Sequence, residues 1–252
     1  MEKGTGMKVL ETVGLTRSFG GLTALDDVDF AVSKGELKGI IGPNGAGKTT
    51  LFNVITGYLK PTKGRVLLNG EDIGGLSPHV ISQKGISRIF QITNIFPEMT
   101  VYESVWAGVN SRTKYPWNPF VRADTIGDIS GKTEEICELT GLSEQMNAIS
   151  ANLSHGDHRV LEIALALSTD PILLLLDEPT QGVSPKEIDN LLKVIAKVSQ
   201  ITTAILIEHD MNIALSLSDT ITVLNEGRVI AEGPPREISE SEEVQRVYLG
   251  IG

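Results

Sequence analysis

The sequence feature that most constrains the fold is a glycine-rich loop between an apolar segment and a helical one. The loop reads Gly42-Pro43-Asn44-Gly45-Ala46-Gly47-Lys48-Thr49, which matches glycine, any four residues, then Gly-Lys-Thr. An apolar run at 37–41 precedes the loop, and residues 50–55 follow as the first turns of a helix. A strand, a glycine loop and a helix in this order are the context in which the pattern binds phosphate.

The residue types of this loop explain its chemistry. Glycines let the backbone curl so that successive N–H groups point at a polyphosphate, and the helix start adds its positive dipole end. Lys48 supplies a point charge for the outer phosphates, and the Thr49 hydroxyl can ligate Mg²⁺. We therefore predict a nucleoside triphosphate site. Its residues are Gly42, Pro43, Asn44, Gly45, Ala46, Gly47, Lys48, Thr49 and Thr50.

Composition limits the class of protein. The chain has 252 residues, of which 40% are hydrophobic, enough for one sizeable core. The single cysteine, Cys137, rules out a disulfide framework and suits a reducing cytosol. No segment approaches the roughly 20 apolar residues of a membrane span. A net charge of -10 argues against a nucleic-acid partner, because such partners select clustered Lys and Arg. We expect a cytoplasmic protein.

The pattern of apolar residues predicts an α/β fold. Runs at 37–41, 172–177 and 202–207 are continuously apolar, which is typical of parallel strands covered by helices on both faces. Earlier runs at 8–13 and 26–32 alternate more and suit an antiparallel layer. The predicted fold class is a P-loop NTPase core, a mainly parallel sheet covered by helices, with an antiparallel β edge layer.

A helical insertion is predicted within this core. Residues 92–150 lack buried strands and form the insertion, with 110–130 loop-like, while 1–91 and 151–252 form the nucleotide-binding core of a single domain 1–252. After the insertion, Ser184-Pro185-Lys186-Glu187 predicts a capping box at a helix start.

Two carboxylates form the second anchor of the predicted site. Asp177 ends an apolar strand, where open α/β sheets place their ligand crevice, and there it can hold the Mg²⁺ that Thr49 also touches. Glu178 lies one residue further and can polarise an attacking water. A lone Asp-Glu pair is more often a cap or a surface pair, but the phosphate loop favours the functional interpretation.

Two strand ends carry further candidates. Gln91 follows a short strand at the root of the insertion and can reach the metal or the water. His209 follows the run 202–207, whose end should neighbour that of 172–177. It can contact the terminal phosphate and hold Glu178. Taken alone, each is more often structural, as a hydrogen-bonding amide or a core histidine.

Two loop positions complete the candidates. Phe19 precedes Gly20-Gly21, where a ring could stack on a purine, although a phenylalanine before a turn usually packs. Ser154 and Gly156 lie at a helix start, which is an anion site. A serine there is more commonly an ordinary N-cap.

The order of these motifs resembles the nucleotide-binding subunit of an ATP-binding cassette (ABC) transporter. The resemblance covers the whole chain, through Phe19, 42–49, Gln91, 153–157, 173–178 and His209. It implies ATP and Mg²⁺ as cofactors. Glu178 matches the catalytic base, His209 the switch histidine and Phe19 the adenine-stacking aromatic. Gln91 matches the glutamine that senses metal and couples to the membrane subunit. Ser154 and Gly156 match the signature that completes the ATP site of the opposite protomer.

The resemblance also implies partners. They are a second ATPase subunit, transmembrane permease subunits and, indirectly, a solute-binding protein, so the chain would lie peripherally on the inner face of the cell membrane. The segments 19–22, 52–57, 96–101, 161–164 and 247–250 are similar to ATPases of branched-chain amino-acid uptake systems. Urea or amide importers and lipopolysaccharide exporters share much of this. A soluble non-transport ABC ATPase, a small-molecule kinase and a nucleotide sensor are the remaining alternatives.

Two stretches depart from the family pattern. The signature usually reads Leu-Ser-Gly-Gly-Gln, and here it reads Leu-Ser-His-Gly-Asp at 153–157. The loop after the catalytic glutamate usually ends Ser-Ala-Leu-Asp, and here it reads Gln-Gly-Val-Ser at 181–184. The cross-dimer aspartate is therefore missing, and communication between the two sites is expected to differ.

Overall fold

The computed structural model describes residues 6–89, 96–112 and 123–249, without the side chains of 123–127 and 249. Within these ranges ten strands form two sheets. The strands of the first sheet are β1 (Lys8–Phe19), β2 (Leu22–Ser33), β4 (Lys63–Leu68) and β5 (Glu71–Asp72). They lie antiparallel in the order β2-β1-β4-β5. This sheet is the predicted antiparallel layer, with longer strands than the runs at 8–13 and 26–32.

The second sheet carries the predicted site. Its strands are β3 (Leu37–Ile41), β6 (Ile86–Ile89), β7 (Leu173–Asp177), β8 (Thr203–Ile207), β9 (Thr220–Asn225) and β10 (Arg228–Gly233). They lie in the order β10-β9-β3-β8-β7-β6, and every pairing except β10 with β9 is parallel. All residues of β3, β7 and β8 are buried. The prediction of parallel strands from continuous apolar runs is confirmed.

Helices cover both faces of the second sheet. The α-helices are α1 (Lys48–Ile55), α2 (Pro78–Gln83), α3 (Val101–Ser111), α4 (Ala123–Thr140), α5 (His155–Ser168), α6 (Pro185–Val198), α7 (Met211–Leu217), α8 (Pro235–Glu240) and α9 (Glu242–Leu249). Short 3-10 helices lie at Ser143–Gln145 and Ser150–Asn152. Thr100 and Glu103 form a capping box that starts α3. No helix in the described ranges combines the length and the hydropathy needed to cross a membrane.

The segment between β6 and β7 is helical where the structure describes it. Helices α3 and α4 pack on each other and on α5. The prediction that 110–130 is loop-like is wrong at 110–111, where α3 continues, and from 123 onward, where α4 begins. Residues 113–122 lie outside the described residues. The buried stripe Ile129, Thr133, Ile136 and Thr140 has helical spacing. Packing of this stripe overrides the low helix propensity of the polar and glycine residues around it.

The only cysteine of the chain serves this packing. Cys137 is fully buried in the cluster that joins α3, α4 and α5 to β7, and burial raises the pKa of its thiol to about 11. A thiol with such a pKa is almost entirely protonated at neutral pH and is a poor nucleophile. The expectation that Cys137 packs rather than reacts therefore agrees with its environment. The division into a core and an insertion at 92–150 stays a prediction.

Strand register brings the predicted site residues to one edge. In the parallel pair of β7 and β8, Asp177 lies opposite Ile207, and β3 pairs with β8 on the other side. The loops that leave the carboxyl ends of these three strands therefore start side by side. This is the crevice position of an open α/β sheet.

Candidate functional site

The loop between β3 and α1 forms a cleft of about 200 Å³. It is lined by Ala24, Asn44, Gly45, Ala46, Gly47, Lys48, Thr49, Thr50, Glu178 and His209. Gly47 precedes α1 with φ 105°, and a Cβ there would lie 2.6 Å from the Ala24 carbonyl oxygen, so only glycine fits. Helix α1 has no side-chain cap. The first N–H groups of a helix have no intrahelical acceptor, so this helix start can receive an anion.

Lys48 places its ammonium inside the loop. The residue is 5% exposed, and Nζ donates to the carbonyl oxygens of Gly42 at 2.6 Å and Pro43 at 3.1 Å. Burial lowers the pKa of Lys48, and the nearby carboxylates of Glu178 and Asp177 partly offset this effect. The loop thus holds a cation at the same edge as two acidic side chains.

Glu178 and His209 meet as expected from neighbouring strand ends. Glu178 is 4% exposed and lines the cleft. Its N–H donates to the Ile207 carbonyl at 2.9 Å, and its Oε1 accepts from His209 Nε2 at 2.7 Å. The backbone of Glu178 has φ 51°, a conformation that costs a non-glycine residue of order 1–3 kcal/mol and recurs at functional sites. The contact supports the predicted pairing, and the catalytic roles stay predictions.

Asp177 is bound on one side only. Its Oδ2 accepts from Arg88 Nη2 at 2.6 Å, and both side chains are buried. Its Oδ1 is also buried and has no hydrogen-bond partner among the described residues. A buried carboxylate oxygen without a partner at a phosphate loop is a suitable cation ligand.

The oxygen atoms at this edge fit an Mg²⁺ ion that is bound jointly by the protein and by nucleotide phosphates. The described residues contain no cluster of three or more His, Cys, Asp or Glu side chains that could cage a metal. Mg²⁺ is usually held by one or two protein oxygens together with phosphates and water. Asp177 and the exposed Thr49 are such a pair. Gln91, the third predicted ligand, lies outside the described residues.

Ser154 and Gly156 do not line the phosphate cleft of their own chain. Ser154 caps α5, and its Oγ accepts from the Asp157 N–H at 3.1 Å. The N–H of Gly156 donates to Glu187 Oε1 at 3.3 Å. Hydrogen bonds from Ser154, Ser184 and Gly156 hold the pKa of Glu187 below its usual range. The Ser154 hydroxyl and the Gly156 N–H, here called the signature donors, therefore face the Glu187 carboxylate from the start of α6.

The same carboxylate corrects one prediction about α6. No capping box forms at this helix start, because Ser184 makes no side-chain bond to the helix backbone. Its hydroxyl donates to Glu187 Oε2 instead. The Glu187 carboxylate therefore accepts from Ser184 at its own helix start and from the Gly156 N–H in α5.

Phe19 lies apart from the cleft. It ends β1 and is 43% exposed, and the Arg17 guanidinium carbon lies 4.5 Å from its ring centroid. Phe19 is not among the residues that line the phosphate cleft. Its predicted role in adenine stacking stays a prediction.

Two charged residues at this edge were not anticipated from the sequence. Arg88 lies in β6 and pairs with Asp177. Glu208 is 2% exposed, and its Oε1 accepts from Thr180 N at 3.2 Å and Oγ1 at 2.8 Å. Burial raises the pKa of Glu208. An arginine between the isoleucines of a short buried strand was a signal, since a buried cation needs a partner.

Comparison with known proteins decides the family. A family model described as "ABC transporter" matches residues 25–181. The high-affinity branched-chain amino acid transport ATP-binding protein BraF of Pseudomonas aeruginosa is 39% identical over 251 residues, with 96% of this chain and 98% of BraF covered. The chain belongs to the ABC transporter family. The resemblance, the fold class and the assignment as a transporter ATPase are thereby confirmed.

Further similarities run along the whole cassette. The high-affinity branched-chain amino acid transport ATP-binding protein LivG of Escherichia coli (strain K12) is 39% identical, with 96% of this chain and 98% of LivG covered. The crystal structure of the ADP conformation of MJ1267, an ATP-binding cassette of an ABC transporter, superposes with a TM-score of 0.82. It is 33% identical, with 97% and 99% of the two chains covered. A second model, "Branched-chain amino acid ATP-binding cassette transporter", matches residues 228–252.

Proposed function

We propose that this cassette is the ATP-hydrolysing subunit of an importer for branched-chain amino acids. The match of residues 228–252 to the branched-chain amino acid model carries the assignment of the solute. This segment begins in β10, and in its last described helix, α9, Tyr248 packs against the hydrophobic cluster that contains Ile41, the residue before the phosphate loop. Burial raises the pKa of Tyr248 to about 12. This match of residues 228–252 favours the branched-chain amino acid solute over the exporter and the urea or amide alternatives.

In this proposal ATP occupies the cleft at the start of α1. The loop N–H groups and the Lys48 ammonium bind its phosphates, and Phe19 stacks on the adenine. Thr49, Asp177 and Gln91 hold Mg²⁺, which neutralises charge on the phosphates when bound. Two observations support this assignment: Asp177 Oδ1 has no partner among the residues that the structure describes, and Thr49 is exposed.

We assign to the chain the activation of a water molecule for attack on ATP, beside the fixed ammonium of Lys48. Glu178 orients the attacking water and accepts its proton. His209 holds Glu178 Oε1 and contacts the terminal phosphate. Lys48 stabilises the negative charge that develops on that phosphate. The 2.7 Å contact of His209 with Glu178, at the mouth of the phosphate cleft, supports these roles.

Hydrolysis in this proposal requires two copies, of like or unlike chains. Ser154 and Gly156 serve the ATP bound to the loop of the opposite protomer. Their position supports this, because they contact Asp157 and Glu187 and do not line their own cleft. Closure of the pair brings the two halves of each site together, and hydrolysis releases them.

The pair acts on membrane partners. We place the chain at the inner face of the cell membrane, attached to transmembrane permease subunits and served indirectly by a solute-binding protein. Gln91, at the root of the segment after β6, passes the motion to the permease. A nucleic-acid partner is not part of the proposal, since the net charge is -10.

Reconstitution with its membrane partners tests this assignment. The chain is co-purified with its permease subunits, placed in proteoliposomes with the solute-binding protein, and assayed with labelled leucine, isoleucine and valine, and with urea. We expect ATP-dependent uptake of the three amino acids, and none with the Glu178→Gln chain as matched control. Uptake of urea alone, or ATP-dependent export of lipopolysaccharide without amino-acid uptake, would contradict the proposed solute.

A further inference from the structure

Strand β6 carries a charged side chain into the core beside the metal-binding edge. The Arg88 side chain is only 6% exposed. Its Nη2 donates to Asp177 Oδ2 at 2.6 Å, and its Nη1 donates to Asn53 Oδ1 at 2.7 Å and to Thr56 Oγ1 at 3.3 Å. The guanidinium carbon also lies 5.5 Å from the ring centroid of Phe52. One planar group therefore joins β6, β7 and α1.

The two ends of this bridge have different neighbours. Asn53 and Thr56 lie at the end of α1 and just beyond it, and the same helix begins at Lys48 and Thr49. Asp177 ends β7, immediately before Glu178. A guanidinium has its donors in a fixed fork, so contacts at both ends set the distance and the angle between α1 and the carboxylate.

We propose that Arg88 is a positioning residue for Mg²⁺ binding. It ties Asp177 through Oδ2 and so keeps Oδ1, which is buried and without a partner in the described part of the chain, available to the metal. Through Asn53 and Thr56 it also fixes Asp177 relative to the helix that carries Thr49. The inference rests on the proposed role of Asp177 as a metal ligand.

Two effects of Arg88 on Mg²⁺ binding have opposite signs. Orientation of the Asp177 carboxylate strengthens Mg²⁺ binding, since loss of a group that holds a metal ligand typically lowers metal affinity about 10- to 100-fold. The guanidinium charge repels a cation, so its removal alone would tighten metal binding. The contacts favour orientation, because the charge is already balanced by Asp177 and held by two further acceptors.

The experiment measures the binding of ADP by calorimetry, with Mg²⁺ and with EDTA, in the wild-type chain and in Arg88→Met. The ratio of the two affinities gives the gain due to the metal without requiring turnover. We expect this gain to fall about 10-fold in Arg88→Met. The affinity in EDTA should stay within about twofold, because the phosphate loop is unchanged.

Two variants separate geometry from charge and from folding. Arg88→Lys keeps a positive charge beside Asp177 but lacks the planar fork of the guanidinium, so this variant should fold. Its metal-dependent gain in ADP affinity should still fall about threefold. Arg159→Met is the matched control, because it breaks another buried pair, Arg159 with Glu162 at 2.8 Å. It should lower the free energy of unfolding and leave the metal-dependent gain unchanged.

The outcomes are distinct. An unchanged or larger metal-dependent gain in folded Arg88→Met, or a wild-type gain in Arg88→Lys, overturns the inference. If wild-type binding of ADP does not respond to Mg²⁺ at all, the proposed metal site fails, and with it the premise. A gain that falls in both Arg88 variants and not in Arg159→Met supports the positioning role.

Discussion

Glu178 is the residue at which local strain and chemistry coincide. Its left-handed backbone follows directly from the end of β7, and its side chain is buried against His209. A glycine would adopt this backbone conformation without strain. Because a glutamate stands here despite the strain, we infer that the position requires its carboxylate. The carboxylate lies in the same cleft as Lys48, as its proposed role in activating water beside bound phosphate requires.

Glu178→Gln should abolish turnover and keep ATP binding. The amide cannot take the proton of the attacking water, whereas Lys48 and the loop that bind phosphate are untouched. We expect the rate of phosphate release to fall by about 100-fold or more, and ATP to trap a stable dimer in sedimentation experiments. Hydrolysis at the wild-type rate would remove Glu178 from the proposed role.

Glu208→Gln is the matched control for that experiment. Glu208 is a second buried carboxyl at the same edge, and its Oε1 accepts hydrogen bonds from Thr180. A glutamine oxygen can accept the same bonds, so the rate should stay within about threefold of wild type. A loss as large as that of Glu178→Gln would show that the assay does not distinguish the two carboxylates.

At the scale of elements, the starts of α5 and α6 form one unit. The two segments that depart from the family pattern meet here, since a Cβ on Gly182 would lie 3.0 Å from His155 Nε2. Glu187 from α6 accepts from the N–H of Gly156 and from Ser184. The carboxylate occupies donors that, in the proposed dimer, bind the phosphate of the opposite protomer. Closure of the dimer must therefore displace Glu187.

Glu187→Ala should make ATP-dependent dimerisation easier. The variant frees the donors of α5 and removes a negative charge from the position of the phosphate. Since a solvent-screened pairing of this kind is weak, we expect the half-saturating ATP concentration for dimerisation to fall only about threefold. The measurement is size-exclusion chromatography in the Glu178→Gln background.

The control for this prediction is Asp189→Ala. Asp189 is an exposed carboxylate on the same helix, so it tests net charge alone. It should leave the half-saturating ATP concentration unchanged. If Glu187→Ala dimerises only at the same or a higher ATP concentration, Glu187 does not compete with ATP for the donors.

At the scale of the whole molecule, the two parts of the proposed ATP site, the phosphate cleft and the signature donors, lie at separate places on one chain. The phosphate cleft opens beside β3, β7 and β8, and the signature donors lie at the start of α5. Two copies related head to tail would satisfy both places at once. The proposal of a working pair therefore makes a prediction that depends on which copy carries which change.

Mixed dimers with Lys48→Ala and Ser154→Ala test this arrangement. If the signature acts on the opposite copy, changes in different copies leave one intact site and about half of the wild-type rate. The same two changes in one copy damage both sites and leave under about a tenth. A signature that acted on its own copy would give the reverse order. The measurement is ATP turnover by tagged, purified mixed dimers.

The parts of the site formed by residues close together in sequence could be predicted. The phosphate loop, the carboxylates after β7 and His209 follow local motifs, and parallel strand ends bring them together. The pairing of Arg88 with Asp177 joins residues 89 positions apart, and that of Gly156 with Glu187 spans 31 positions. No local pattern specifies such partners, and the first turns of α4, at 123–130, escaped prediction because the apolar stripe there is short and interrupted.

The sequence by itself determined a phosphate-binding α/β core and its family, because glycine spacing and continuous apolar runs act through local backbone geometry and burial. Only the tertiary structure decided which charges neutralise one another. Arg88 is tied to Asp177 and α1, and Glu187 to the start of α5. The physical reason is that a charge near or within the core must find its partner in space, and the fold alone sets that distance.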